Sequence, residues 1–122
     1  MSEHTLQANM VRVLRMHGLV TIDGDVMSAL RYLPNNDKRR MLFINQHRNM
    51  GYTVGQPDLI VLLPDGFVLF VEVKNGKIGS QSKEQKAFQE RITEMGHTYV
   101  VWRKIEDAIE FTKGLKGIYG RH

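Results

Sequence analysis

The stretch from residue 58 to residue 74 constrains the fold of this chain more than any other. It reads Asp-Leu-Ile-Val-Leu-Leu, then Pro-Asp-Gly at 64–66, then Phe-Val-Leu-Phe-Val-Glu-Val-Lys. β-Branched and aromatic residues favour strands, and proline and glycine supply the fixed and the permissive backbone angles of a tight turn. The pattern predicts a β-hairpin. Because both faces of each strand are apolar for most of their length, we expect it in the middle of a covered sheet.

Apolar residues at helical spacing predict helices on both sides of this hairpin. Residues 26–33 could form a strand or a short helix, and we favour the strand because Pro-Asn-Asn at 34–36 ends it. The predicted order is a helix over 3–17 with Ser2 as N-cap, a loop over 21–25, the strand over 26–33, a helix over 37–50, the hairpin, a helix opened by Ser82, a strand over 98–103 and a short helix over 106–113. The tail over 114–122 is expected to fray. This order indicates an α/β or α+β fold, in which helices flank a sheet.

A chain of 122 residues fits one domain, here taken as residues 1–122. The absence of cysteine excludes a disulfide framework and a thiolate zinc site. The N-terminus lacks the basic-then-apolar layout of a signal peptide, and the longest apolar runs are too short to span a bilayer. We therefore expect a soluble cytoplasmic protein with no membrane partner.

The formal net charge of +4 is weak support for a nucleic-acid partner, because many cytosolic proteins reach it without such a role. The positions of the cations say more. They cluster on both sides of the hairpin, with Lys38, Arg39, Arg40 and Arg48 before it and Lys83, Lys86 and Arg91 after it. Taken alone, these clusters would be read as solvated helix faces.

Three charged residues of the hairpin form a candidate site. Glu72 and Lys74 lie two apart on one strand, so their side chains point to the same face. If the turn is the three residues 64–66, Asp58 lies directly across from Glu72. A two-residue turn would place it opposite Val73 instead, so the site depends on the register.

Two carboxylates a few ångströms apart repel each other, and normally one of them would hold a proton. A divalent cation removes this conflict, and oxygen ligands are those that Mg²⁺ and Mn²⁺ accept. Together with the Lys74 ammonium, the set suits phosphodiester hydrolysis. The alternative is an ordinary ion pair between Glu72 and Lys74 at a strand end. Against it, an ionised carboxylate in a covered apolar strand needs a partner.

Pro57-Asp58, followed on the return strand by Glu72-Val73-Lys74, matches the PD-(D/E)XK nuclease motif. The flanking residues resemble the virus-type replication-repair nuclease (VRR-NUC) branch of this superfamily. They are Leu33-Pro34-Asn35-Asn36, a basic helix, Met50-Gly51, Gly55-Gln56-Pro57-Asp58 and Ser82-Lys83-Glu84-Gln85. The resemblance covers roughly residues 3 to 113, which is nearly the whole chain.

This resemblance implies a restriction-endonuclease-like mixed sheet with an αβββαβ core, flanked by helices. It implies Mg²⁺ or Mn²⁺ held by Asp58, Glu72 and the Val73 backbone carbonyl, with Lys74 activating water. It also implies that Glu3 lies near the metal and that Gln85 lies beside Lys74. Glu3 equally suits a helix-terminal acid favourable to the helix dipole, and Ser82-x-x-Gln85 is also a capping box. Both roles of Gln85 can hold, one through each end of its amide.

Stand-alone members of the branch resemble homodimeric endonucleases that cut branched DNA such as Holliday junctions. The resemblance therefore implies a structure-selective DNA endonuclease of phage or bacterial recombination and repair. Phosphate contacts are expected from the basic helices, at Arg39, Arg40, Lys83 and Lys86. Two alternatives remain open, a catalytically silent nucleic-acid-binding module with the same fold and a small α/β protein with no nucleic-acid role.

Overall fold

A computed structural model describes residues 1–76 and 80–119, without the side chains of residues 31 and 116–119. Helices and strands alternate much as the sequence predicts. They are α1 (Glu3–Met16), β1 (Val20–Asp23), a 3₁₀ helix (Val26–Tyr32), α2 (Asp37–Asn49), β2 (Leu59–Leu62), a turn (Pro64–Gly66), β3 (Val68–Val73), α3 (Lys83–Glu94), β4 (Thr98–Trp102) and α4 (Ile105–Tyr119).

The four strands form one mixed sheet in the order β1-β2-β3-β4. β1 pairs with β2 and β2 with β3 in antiparallel fashion. β3 and β4 are parallel, with α3 as the crossover between them, as a parallel pair requires. Helices lie on both faces of the sheet, so the predicted α/β fold with a mixed sheet and an αβββαβ core is confirmed.

The first strand was predicted in the wrong place. It occupies Val20–Asp23, where we expected a loop, and the expected strand over 26–33 is instead a 3₁₀ helix over Val26–Tyr32. β1 is an edge strand of only four residues, and the alternation of Val20-Thr21-Ile22-Asp23 is too short to distinguish a strand from a loop. The prolyl stop after residue 33 ends a short helix as readily as it ends a strand.

The last helix is longer than predicted. α4 begins at Ile105 and continues to Tyr119, beyond the expected end at residue 113. Leu115 is buried and α4 packs along α1, so tertiary packing stabilises a helix where the three glycines of residues 114–122 had suggested a frayed tail. Residues 120–122, the end of the tail that we expected to fray, lie outside the described residues. No helix in the described ranges is long and apolar enough to cross a bilayer.

α1 and α4 cover one face of the sheet and enclose the core. This core includes Leu6, Met10, Leu14, Leu59, Val61, Leu69, Val71, Trp102 and Ala108. α3 covers part of the opposite face, where the Phe88 ring lies 6.3 Å from the Phe70 ring and 6.4 Å from the Tyr99 ring. The second core is therefore confined to the β3–β4 half of the sheet.

The β1–β2 half of that second face is open. Val20, Ile22 and Leu62 are 56%, 44% and 39% exposed, and we call these three residues the open sheet face. By register, Val20 lies beside Leu62 and Ile22 beside Ile60. Asp58 is two residues from Ile60, so it points to the same face of the sheet. An apolar surface therefore runs up to the candidate site.

Candidate active site

The register of the β2–β3 hairpin determines whether the candidate site exists. Leu59 pairs with Val71 and Leu62 with Val68, which places Asp58 directly opposite Glu72. Asp65 closes the turn with φ 63°, in the left-handed region that aspartate tolerates better than most residues. The three-residue turn, and with it the register that brings the two carboxylates together, is confirmed.

Asp58 is fixed from both its side chain and its backbone. Its Oδ2 accepts a hydrogen bond from the Val73 backbone N at 2.8 Å, across the end of the hairpin. Its carbonyl oxygen accepts from the Gly24 backbone N at 2.8 Å and from Gln7 Nε2 at 3.3 Å. Three elements therefore hold this residue, namely β3, the segment after β1 and helix α1.

Glu72 is almost completely buried, with 1% of its surface exposed. One carboxylate oxygen, Oε1, accepts a hydrogen bond from Gln85 Nε2 at 2.6 Å. The other, Oε2, is buried without a hydrogen-bond partner among the described residues. Since a buried polar atom without a partner is costly, Oε2 marks a place where a further group fits.

The surroundings of Glu72 raise its pKa to about 9. Burial is the largest cause, followed by the charge and the close approach of the Asp58 carboxylate. Lys74 opposes the shift, and Glu3 adds a small further increase. Without a cation, burial and the Asp58 charge therefore favour the protonated form of Glu72 at neutral pH.

Gln85 uses both ends of its side-chain amide. Its Oε1 accepts from the Ser82 backbone N at 2.8 Å, and the Ser82 hydroxyl accepts from the Gln85 backbone N at 3.1 Å. These two bonds form the capping box that starts α3. The Nε2 end donates to Glu72, so the capping role and a contact with the candidate site occur together, although the resemblance implied a place beside Lys74.

Two glycines allow the backbone to close around the site. A Cβ on Gly24 would overlap the carbonyl oxygen of Pro57, next to Asp58. A Cβ on Gly55 would overlap the carbonyl oxygen of Glu84, next to Gln85. The segment before Asp58 is thus wedged between the end of β1 and the start of α3, in contacts that glycine alone permits.

Lys74 and Glu3 lie at the rim of the site. Lys74 follows β3 and is half-buried, and its backbone N donates to the Trp102 carbonyl at 3.0 Å. Glu3 is exposed in the first turn of α1, and its Oε2 accepts from the Asn75 backbone N at 3.2 Å. Glu3 therefore ties α1 to the segment after Lys74. Direct metal contacts from Glu3 and from the Val73 carbonyl stay predictions.

The four residues expected to contact phosphate differ in position. Arg40 is half-buried and lines a cavity of about 440 Å³ that also contains Asp58 and Glu3, and its Nη1 donates to the Leu30 carbonyl at 3.1 Å. Arg39, Lys83 and Lys86 are exposed, the two lysines on the first turns of α3. The structure brings only Arg40 of this set into the cavity beside Asp58.

The donor set fits a divalent metal with few protein ligands. Within the described residues, no three histidine, aspartate or glutamate side chains are grouped closely enough to hold a metal by themselves. Two facing carboxylates, one with an unpaired buried oxygen, are what Mg²⁺ or Mn²⁺ accepts when substrate and water complete its coordination. The residues present therefore fit a hard cation rather than an all-protein cage.

Sequence reasoning missed some residues that hold the site. Gln7 supports Asp58 from α1, and Gln56 Nε2 donates to the Gly24 carbonyl at 2.7 Å. Both contacts link distant parts of the chain through backbone oxygens, for which no local pattern exists. Gly55 was part of the motif Gly55-Gln56-Pro57-Asp58 in the sequence. Why a glycine is needed there becomes clear only from its close approach to α3.

The architecture is a mixed four-stranded sheet between helices, with the acidic pair at one end of the central hairpin. A solved structure described as a VRR_NUC domain matches it with a TM-score of 0.62 and 21% sequence identity, over 91% of this chain and 94% of the other. The chain therefore has the VRR-NUC fold, which confirms the resemblance at the level of the fold. No family model and no curated protein matches the sequence.

Proposed function

We propose that this protein is a Mg²⁺- or Mn²⁺-dependent endonuclease that hydrolyses phosphodiester bonds in DNA. The observation that carries the proposal is the Glu72 carboxyl, which is buried opposite Asp58 with one oxygen unpaired. A carboxyl group buried in this way destabilises the fold unless it has a partner. Carboxyl groups with such strongly shifted pKa values are common at functional sites. The VRR-NUC fold supports a nuclease function.

Asp58, Glu72 and the Val73 carbonyl would hold the cation, with Glu3 as the expected further ligand. When bound, the cation would supply Lewis-acid activation of the phosphodiester and of the attacking water. Gln85 holds Oε1 of Glu72 and leaves Oε2 turned to the site. The Gln85 amide therefore orients the carboxylate that the cation needs.

Lys74 lies on the same face as Glu72 and next to it along the strand. We assign to its ammonium the orientation of the attacking water and the stabilisation of negative charge on the phosphoryl group. Arg40 enters the same cavity from α2 and would position the phosphate. These are roles of charge and position, which is what phosphodiester hydrolysis asks of a protein.

We also propose that the substrate is branched DNA, such as a four-way junction, and that the active form is a homodimer. Two-fold symmetry of the protein suits the two-fold symmetry of a junction. The open sheet face offers an uncharged apolar surface for a second copy, next to the strand end that carries Asp58. The dimer would then place two sites on one junction.

The test is cleavage of end-labelled four-way-junction, flap and linear duplex DNA with Mn²⁺, with EDTA and Asp58→Ala as controls. We expect Mn²⁺-dependent cutting that both controls abolish, with the junction cut fastest. Calorimetric titration with Mn²⁺ measures metal binding independently of catalysis and should show heat that Asp58→Ala removes. Folded wild-type protein that binds junctions but cuts no substrate would instead support a silent binding module.

A further inference from the structure

Helix α2 is the least buried helix of the described structure. None of its thirteen residues, all of which are described, is buried. A half-buried stripe at positions i, i+3, i+4 and i+7 comprises Arg40, Phe43, Ile44 and His47. This stripe faces the 3₁₀ helix, the element that α2 mainly contacts. The opposite side of α2 is exposed along its whole length.

The exposed side of α2 has an unusual composition for a solvated helix. It carries three cations, Lys38, Arg39 and Arg48, and three amides, Asn45, Gln46 and Asn49. Between them lie two exposed apolar side chains, Met41 at 57% and Leu42 at 56% exposure. The helix has a single carboxylate, Asp37, placed in the first turn where it favours the helix dipole.

Solvated helices usually alternate acids and bases, which supports the helix through pairs at i and i+4. α2 lacks these pairs. Apart from Asp37 in its first turn, its exposed side carries cations, amide groups and apolar side chains. Arginine and lysine bind phosphates, and asparagine, glutamine and arginine also reach base edges in the major groove, which admits an α-helix. A 13-residue helix is about 20 Å long and therefore fits along one groove.

We propose that the exposed side of α2 is a docking surface for duplex nucleic acid, through which an arm of the substrate is held beside the active site. The inference rests on the proposed nuclease function and identifies the element that binds the substrate. Its physical basis is charge complementarity, since the exposed residues of α2 include three cations against a single carboxylate, Asp37, and would face a polyanion.

The connection from α2 to the site supports this assignment. Arg40, on the inner side of the same helix, lines the cavity that contains Asp58. The chain leaves α2 through Tyr52, whose backbone N donates to the His47 carbonyl at 2.8 Å, and reaches Asp58 within a few residues. Through Arg40, α2 therefore borders the cavity that contains Asp58, and a duplex held on its outer side would lie on the same helix.

A second copy of the chain is a poorer occupant of this surface. A symmetric contact through α2 would bring Lys38, Arg39 and Arg48 of one copy against the same cations of the other. The open sheet face lacks this repulsion and suits a second copy better. We therefore commit α2 to nucleic acid.

The test compares three triple variants in binding assays with a fluorescent 30-base-pair duplex and a four-way junction in EDTA, over a range of salt concentrations. The first is Lys38→Ala/Arg39→Ala/Arg48→Ala. The second is Asn45→Ala/Gln46→Ala/Asn49→Ala, which leaves the charge unchanged. The matched control is Arg12→Ala/Arg91→Ala/Lys113→Ala, which removes three exposed cations from α1, α3 and α4. Alanine favours helix, so each variant should fold.

We expect the first variant to reduce the slope of log K against log salt by about 2 to 3, since each phosphate contact contributes about 0.9. The amide variant should weaken binding about fivefold or more at an unchanged slope. The control should bind with nearly the wild-type slope. An unchanged slope in the first variant, or an equal reduction in the control, would overturn the proposal.

Sedimentation of the same variants tests whether a second copy of the chain, rather than nucleic acid, occupies α2. If the α2 variants dissociate a dimer and lose binding only through that dissociation, α2 is an interface between copies and the proposal fails. The two proposals can fail separately. A wild-type protein that never cuts DNA but binds it through α2 refutes the nuclease, and a nuclease indifferent to α2 substitutions refutes the docking surface.

Discussion

Among single residues, Lys74 offers the sharpest separation of chemistry from structure. Its backbone N bonds to Trp102, and this bond survives truncation of the side chain. We expect Lys74→Ala to lose cleavage by roughly 100-fold or more, the usual scale for one lost group that stabilises transition-state charge, while folding and junction binding stay near wild type. Single-turnover cleavage measures the loss.

The matched control is Lys104→Ala, which removes an exposed lysine two residues after the end of β4. It should cut DNA at the wild-type rate. Equal cutting by Lys74→Ala would remove Lys74 from the mechanism, whereas equal losses in both variants would point to a general effect of charge on DNA binding.

The raised pKa of Glu72 predicts how the free energy of unfolding changes with pH. Its pKa rises from 4.5 to about 9 on folding, so the folded state retains a proton that the unfolded state loses. The contribution of this group to the free energy of unfolding is thus fully present below about pH 4.5 and is lost as pH rises towards 9. In EDTA, Glu72→Gln should flatten this decline, measured as Tm between pH 5 and 9.

The same carboxyl group makes metal stabilisation depend on pH, because a cation competes with the proton. Mn²⁺ should raise the Tm of the wild type more at pH 8 than at pH 6, and should do little for Glu72→Gln. A wild type and a variant with parallel pH curves in EDTA would show that Glu72 is ionised in the metal-free fold.

At the scale of elements, the site depends on how closely the segment before Asp58 approaches α3. Gly55→Ala would place a methyl group on the Glu84 carbonyl and push away the turn that carries Gln85. Gly96 has a similar φ, 94° against 87°, but nothing lies near its missing Cβ. Gly96→Ala therefore reproduces the backbone strain, on the order of 1 to 3 kcal/mol, without the overlap.

We expect both substitutions to lower Tm, but only Gly55→Ala to weaken Mn²⁺ binding and lower the cleavage rate at saturating DNA. Calorimetry and single-turnover kinetics measure these effects. If both variants bind Mn²⁺ as the wild type does, the close approach of Gly55 to α3 contributes stability and does not position the site.

Elements with strong local signals were predicted from the sequence. The hairpin and the capping box at Ser82 follow from turn residues and side chains close in sequence, whereas the sequence left the register open between two turn lengths. β1 was misplaced because its alternation is too short and too exposed to read. α4 was cut short because burial of Leu115 against distant elements sustains it past Gly114.

The candidate site divides along the same line. Asp58, Glu72 and Gln85 are brought together as the motif and the register predict. The contacts of Gln7 and Gly55 depend on the packing of elements far apart in the chain, and no periodicity reports such packing. A motif therefore predicts which side chains form the candidate site, and the fold is needed to show which contacts hold these side chains in place.

At the scale of the whole molecule, the open sheet face predicts the oligomeric state. Ile22→Lys introduces a charge into the middle of this apolar surface, and burying it in a dimer would be costly. We expect the wild type to sediment as a dimer and Ile22→Lys as a folded monomer. Met16→Lys changes a 78% exposed methionine at the end of α1 and should remain a dimer. A monomeric wild type would refute the dimer.

The turn at Pro64–Gly66 sets the register of the whole hairpin. It lies at the far end of the hairpin, about 20 Å from Asp58 at 3.4 Å per residue. Surface turns usually tolerate insertions and deletions, yet a change of one residue here would move Asp58 out of line with Glu72. The proposed catalytic site therefore depends on the length of a distant turn. Chains that keep every motif residue but alter this turn would be expected to have lost the activity.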